Sequence, residues 1–318
     1  MLKKLKYFNS IAKKILYNPI SHGANKLCIL SYNASPSMVS WLITAYKENK
    51  LSSISIELIV ESAVNDGINN ISHEGFKELH KNHYSDKKYS FSCSYLYEAP
   101  TSQNNLYIWL KNDVPIQAFS CIQDFTQASF LGVEEAIISE QDALSTYSLY
   151  ESAVSRSIYC THSEVEEYIV IYTHPISLKK SDESNCVHLP LITKNGKTGN
   201  HSGLNWGQRK KRNKNQAYIP VPAKIAKSGF FPLKDQHFLA VTDDHCTLLL
   251  RVEQQNDKAI TTSASNAQLG EYFRGRLKLG NGAYVHSSDL ISYGRTDVTF
   301  YKIDEEQYYM DFSPESKR

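Results

Sequence analysis

Nowhere do the 318 residues offer a run approaching the roughly 20 apolar side chains that a membrane-crossing helix needs, so no membrane partner is expected. Cysteine is sparse and scattered. Cys28, Cys93, Cys121, Cys160, Cys186 and Cys246 make no CxxC pair or other zinc spacing, which argues against a structural metal and for reduced thiols in a cytoplasmic protein. The opening MLKKLKYFNSIAKKIL is basic and amphipathic, yet it lacks Arg, a long apolar centre and a small-residue cleavage site. It is expected to be a surface helix rather than a targeting peptide. Internal repeats and low-complexity stretches are missing as well.

The most informative absence is local. Between Glu183 and Asp235 there is no Asp or Glu, while ten Lys or Arg fall in the same interval, although the whole chain carries only +2. A surface that cannot neutralise itself attracts polyanions, and phosphates are the usual partner.

What is present is enough for two domains: 41% hydrophobic and 21% charged residues in a chain of this length allow two separate cores. KLCILSYNAS and ISIELIVESAV read as strands flanking a helical PSMVSWLITAYKENK. SHEGFKELHKNH reads as a second helix capped by Ser72, and LYIWL and IQAFS as two further strands. An α/β domain over 1–185 follows. The polar, Gly-containing SLKKSDESNCVHLPLITKNGKTGNHSG reads as a linker or long loop. After it, QHFLAVTDD, CTLLLRVEQ, AITTS, GAYVHSS, RTDVTFYKID and EQYYMDF alternate at short spacing, with NAQLGEYFRGRL alone looking helical. That pattern suggests an all-β pseudobarrel with a short helix over 186–318.

Within the carboxylate-free block, Gln208, Arg209, Lys210, Lys211, Arg212, Asn213, Asn215 and Gln216 fall close together, with Asn205 just before them. Lys and Arg attract phosphate without regard to sequence, whereas Arg on guanine and Asn or Gln on adenine are favoured contacts in the major groove. The interleaved amides favour an ordered DNA-reading arm; a solvated basic loop is the alternative. Thr262, Ser263, Asn266 and Gln268 in ITTSASNAQLG offer a second polar surface or an ordinary turn. Arg295 either reaches phosphate or pairs with Asp297, and the structural role is favoured.

SGLNWGQR, RNKNQAYIPVPAKIAKSGFFP, LGEYFRGRL and YGRTDVTFYKIDEEQYYMDF resemble the carboxy-terminal half of NgoFVII-type restriction endonucleases, and IELIVESAVNDGI and HEGFKELH resemble their amino-terminal half. The resemblance implies a phospholipase-D-like nuclease domain followed by a B3-like DNA-binding domain whose two arms grip the major groove of double-stranded DNA. Residues 205–216 would be the first arm and 261–268 the second. It implies a homodimer, since each chain would carry one nuclease motif, and leaves open a methyltransferase or ATPase partner. No metal and no other cofactor is expected, because in that family a His attacks phosphorus while a Lys neutralises the phosphate.

Aligned on LYIWL, the His position falls on Gln103 and the Lys position on Asn105. A neutral carboxamide is neither nucleophile nor cationic clamp. The family's Gly-Ser-x-Asn loop becomes Cys121, Ile122, Gln123 and Asp124, and the family's acidic residue corresponds to Glu135. The expectation is a DNA binder with an inactivated nuclease site. The alternative is an active endonuclease with a relocated nucleophile, for which His73, His80 and His83 are candidates, or with chemistry supplied by a partner subunit.

Overall fold

A computed structural model describes residues 8–102, 104–132, 136–173, 185–232, 236–253 and 257–314, and the chain divides into two compact units between His174 and Pro175. No described helix is long and apolar enough to cross a membrane.

The first unit is built on strands β1 (Lys26–Ser31), β2 (Ile54–Val60), β3 (Ile68–Asn69), β4 (Tyr89–Leu96), β5 (Asn105–Lys111), β6 (Val114–Cys121), β7 (Ile138–Gln141), β8 (Ser157–Tyr159) and β9 (Ile171–Tyr172). Seven of them form one sheet in the order β7-β6-β5-β1-β2-β4-β8, parallel among β1, β2 and β4 and antiparallel elsewhere; β3 and β9 pair separately. Five of the six residues of β1 are buried, as expected of a central strand covered on both faces. On one face Cys28, Leu30, Ile108 and Leu110 meet Tyr150 and Ala153 of the Ala143–Val154 helix. On the other, Trp109 donates from Nε1 to Ile15 O at 2.7 Å. The opening segment is helical from Ser10 to Ser21, π-helical over Lys13–Tyr17, and buries Ile11, Ala12, Ile15 and Leu16.

Two details differ from the sequence reading. The helix that includes HEGFKELH spans Asn70–His83 and is capped by Asn69, whose side chain accepts from Ser72 N; Ser72 itself lies inside the first turn. Strand β4 is an additional element: YSFSCSYL alternates in the two-residue period of a strand and its burial alternates with it.

The second unit contains β10 (Cys186–Pro190), β11 (Ile219–Pro220), β12 (His237–Thr242), β13 (Thr247–Glu253), β14 (Ala259–Thr262), β15 (Asp297–Lys302) and β16 (Gln307–Asp311). Their order is β10-β15-β16-β12-β13-β14-β11, and β10 and β11, the two ends, approach each other so that the sheet nearly closes. Its core includes Phe231, Phe238, Phe300, Tyr308 and Met310, with Leu269 and Phe273 supplied by the Asn266–Arg276 helix.

GAYVHSS, expected as a strand, is irregular and leads into a helix at Ser287–Tyr293. Asp289 there accepts from His286 N, and Gly294 ends the helix in the left-handed region at φ 94°. Arg295 is structural: it pairs with Asp297 at 2.9 Å and Asp311 at 3.3 Å, and is only 9% exposed.

Candidate nucleic-acid interface

The long connection from β10 to β11 carries the basic segment. It begins with a 3-10 helix, Gly203–Gln208, that buries Leu204 and Asn205. Asn205 is fully buried: Oδ1 accepts from Val285 N at 2.9 Å, while Nδ2 donates to Val285 O at 2.8 Å and Gly199 O at 3.1 Å. Its carboxamide is spent inside the unit.

Asn215 is also buried. It donates to Glu271 Oε1 at 3.1 Å and accepts from Gly282 N at 2.6 Å, tying the segment to the Asn266–Arg276 helix and to the turn after it. Gln208 donates to Gly282 O at 3.0 Å. Two glycines admit this packing. A Cβ on Gly207 would stand 2.3 Å from Asn213 O, and one on Gly270 1.7 Å from Asn215 O.

Between these anchors, Arg209, Lys210, Lys211, Arg212, Asn213 and Lys214 are exposed. Arg209 donates from Nε to His201 O at 2.8 Å, and Lys211 turns the chain at φ 64°. Arg212 lies over the Trp206 ring at 4.1 Å and donates to Gln216 Oε1 at 3.1 Å. The segment is therefore an ordered cationic loop on a rigid base.

The second polar segment adjoins the first, since Ala217 N donates to Asn266 O at 3.0 Å. Thr262 is buried, and its hydroxyl is bound to Ser265 O at 2.6 Å. Ser263, Asn266 and Gln268 are half-buried around the Ser265 cap of the Asn266–Arg276 helix. The Gly280–Tyr284 turn, which no sequence motif marked, also packs beside the loop; its signal was the GNG tripeptide at 280–282.

In the first unit, Gln103 and Glu135 lie outside the described residues. Asn105 is the first residue of β5 and is 3% exposed. Its Oδ1 accepts from Ser31 Oγ at 2.8 Å and Tyr32 N at 2.7 Å, and Nδ2 points to Cys121 O and Asp124 Oδ1, each at 3.5 Å. Asn105 therefore braces the ends of β1 and β6. Asp124 accepts from Asn33 Nδ2 at 3.1 Å, and Ile122 is exposed.

The alternative nucleophiles are buried: His73, His80 and His83 are 3%, 6% and 8% exposed, and Cys121 3%. Burial pushes the Cys121 thiol up to about 11, so little thiolate exists at neutral pH. His73 and His83 are held below the usual histidine range, chiefly by burial; His73 Nδ1 meets Tyr95 OH at 3.0 Å. His80 Nδ1 accepts from Cys93 N at 3.1 Å. Cys160, beside His80, is drawn down to about 6, chiefly by the Cys93 hydrogen bond, but it is fully buried, out of reach of a phosphodiester. No described group of three or more His, Cys, Asp and Glu is placed to hold a metal ion.

Residues 9–167 match the family profile of the NgoFVII restriction endonuclease N-terminal PLD domain, and residues 179–304 match that of the NgoFVII C-terminal B3-like DNA-binding domain. No curated protein matches the chain.

Proposed function

From a chain that belongs to the NgoFVII restriction endonuclease family, we propose a protein that binds a short specific site in double-stranded DNA while its own nuclease site is silent. DNA as partner comes with the B3-like domain. The exposed cations at 209–212 and 214, on a base fixed by Asn205, Asn215 and Gly270, support specific rather than diffuse binding, because an ordered loop presents its donors in one geometry. Half-buried Gln216 and Gln268 stand at the edge of the same surface.

The observation that carries the silent-site reading is Asn105. The family's phosphate clamp is a Lys, and here a neutral carboxamide is turned inward onto Ser31 and Tyr32. Without nucleophile and clamp, phosphoryl transfer should be slower by about 10⁴-fold or more. Gln103 and Glu135 belong to this reading through their sequence positions. Dimerisation through the first unit, and a methyltransferase or ATPase acting with the protein, fit the same family context.

Incubation with unmethylated plasmid, in EDTA and separately in Mg²⁺, tests the reading when paired with a binding assay on the same DNA. Retained binding with intact plasmid in both buffers is expected. Discrete fragments in EDTA would establish a metal-free nuclease with a relocated nucleophile. Fragments only with Mg²⁺ would establish a different mechanism, and either outcome overturns the silent site.

A further inference from the structure

Within the exposed loop Arg212 is held unlike its neighbours. Its guanidinium lies 4.1 Å over the Trp206 ring, and the indole meets Tyr218 edge-on at 5.8 Å. One amino group donates to Gln216 Oε1 at 3.1 Å. Two contacts of different kinds, one to the face of the guanidinium and one in its plane, thus fix its orientation.

We propose that Trp206, Arg212 and Gln216 form one preset unit that reads a guanine edge in the major groove, with Trp206 as its positioning residue. The proposal rests on the reading of 205–216 as a DNA-contacting arm. A guanidinium has five N–H donors and no acceptor, so after the bond to Gln216 it keeps enough donors for a bidentate contact. Guanine presents two acceptors, N7 and O6, at the spacing a planar fork matches. A phosphate contact would gain little from such fixing, since it tolerates many approach directions and Arg209, Lys210, Lys211 and Lys214 already supply charge around the loop.

The same hydrogen bond limits Gln216. An amide reads adenine by accepting from N6 and donating to N7 together. Arg212 can only donate, so the atom facing it is the Gln216 oxygen, which is thereby turned toward Arg212 with one of its two lone pairs occupied. Gln216 keeps its NH₂ for a neighbouring acceptor such as guanine N7 or O6 or thymine O4. The unit presents mainly donors.

Selection by the full-length protein from a duplex library randomised over its central segment, followed by sequencing, gives the bound motif. The motif is expected to contain a guanine whose replacement by 7-deazaguanine, which lacks the N7 acceptor, weakens binding of the unaltered protein roughly tenfold or more. Arg212→Ala should lose the preference at that guanine. Trp206→Leu should weaken discrimination there while leaving the salt dependence unchanged. A motif without guanine, or a guanine preference that survives Arg212→Ala, overturns the proposal but leaves specific DNA binding standing. Uniform weakening of all duplexes by Arg212→Ala, with a salt slope shallower by about 1, overturns it in favour of a phosphate contact. If no sequence is enriched, both the proposal and the reading of the loop as a specific arm fail.

Discussion

Asn205 and Val285, 80 residues apart, are joined as neighbouring strands would be: the carboxamide of one takes both the N–H and the C=O of the other. An amide side chain here replaces a strand that the segment around Val285 does not have. Asn205→Ala should therefore destabilise the second unit by about 1–3 kcal/mol, because it leaves the buried Val285 N–H without its partner, while Val285 O keeps the Thr198 hydroxyl at 2.8 Å. Denaturant unfolding checks this. An unchanged midpoint with weakened DNA binding would make Asn205 a contact residue instead.

Gly270 tests the rigidity of the loop's base. In Gly270→Ala the new methyl would meet Asn215 O, a backbone atom, and one side must shift. A cost of about 1–3 kcal/mol is expected, with DNA affinity falling roughly tenfold or more if pre-organisation is what gives affinity. Equal affinity at equal salt would show that loop geometry does not matter.

Lys210 and Lys211 are exposed. Their role should be electrostatic: each change to Ala is expected to weaken all duplexes alike and reduce the slope of log affinity against log salt by about 1. Titration at several salt concentrations decides, and a change in base preference would count against it.

On the proposed silent-site reading, a Lys at position 105 alone should not bring cleavage. Asn105→Lys would place a cation where Ser31 and Tyr32 now meet a carboxamide oxygen, at 3% exposure. A loss of roughly 1–3 kcal/mol is expected from burying a charge beside two donors, with the Asp124 carboxylate offsetting part of the cost. Thermal melting and a nicking assay on supercoiled plasmid test both halves, and a stable, cleaving variant would contradict them.

Acid should loosen β12. Burial, aided by the charge of Arg251, holds His237 well below the usual 6.5. The unfolded chain then takes up that proton before the folded one does. Stability is complete above about pH 6.5 and falls as pH drops below it. Amide exchange along β12 between pH 7.5 and 5 should show faster opening, and His237→Gln should flatten the trend. In the first unit His73 and His83 act in the same direction, so His237, in the second, gives the cleaner test.

Periodicity made most strands legible. HFLAVT and TLLLRVE pair as β12 and β13, and LYIWL and IQAFS fall on β5 and β6, because adjacent strands joined by tight turns need only local information. β10, inside the stretch read as linker, was not legible: its partner β15 lies far along the chain, and the alternation of Val187 and Leu189 in CVHLP is too short to stand out from its polar flanks.

The sequence by itself determined the carboxylate-free cationic block and the family pattern. Those are facts of residue type, and charge and chemistry come with the residue. Only the tertiary structure decided how alike polar residues divide: Asn205 and Asn215 turn inward, while Arg212 and Gln216 are coupled over Trp206. Whether a carboxamide is structural or available depends on which backbone groups reach it, and at Asn205 those come from Val285, which chain closure alone brings there.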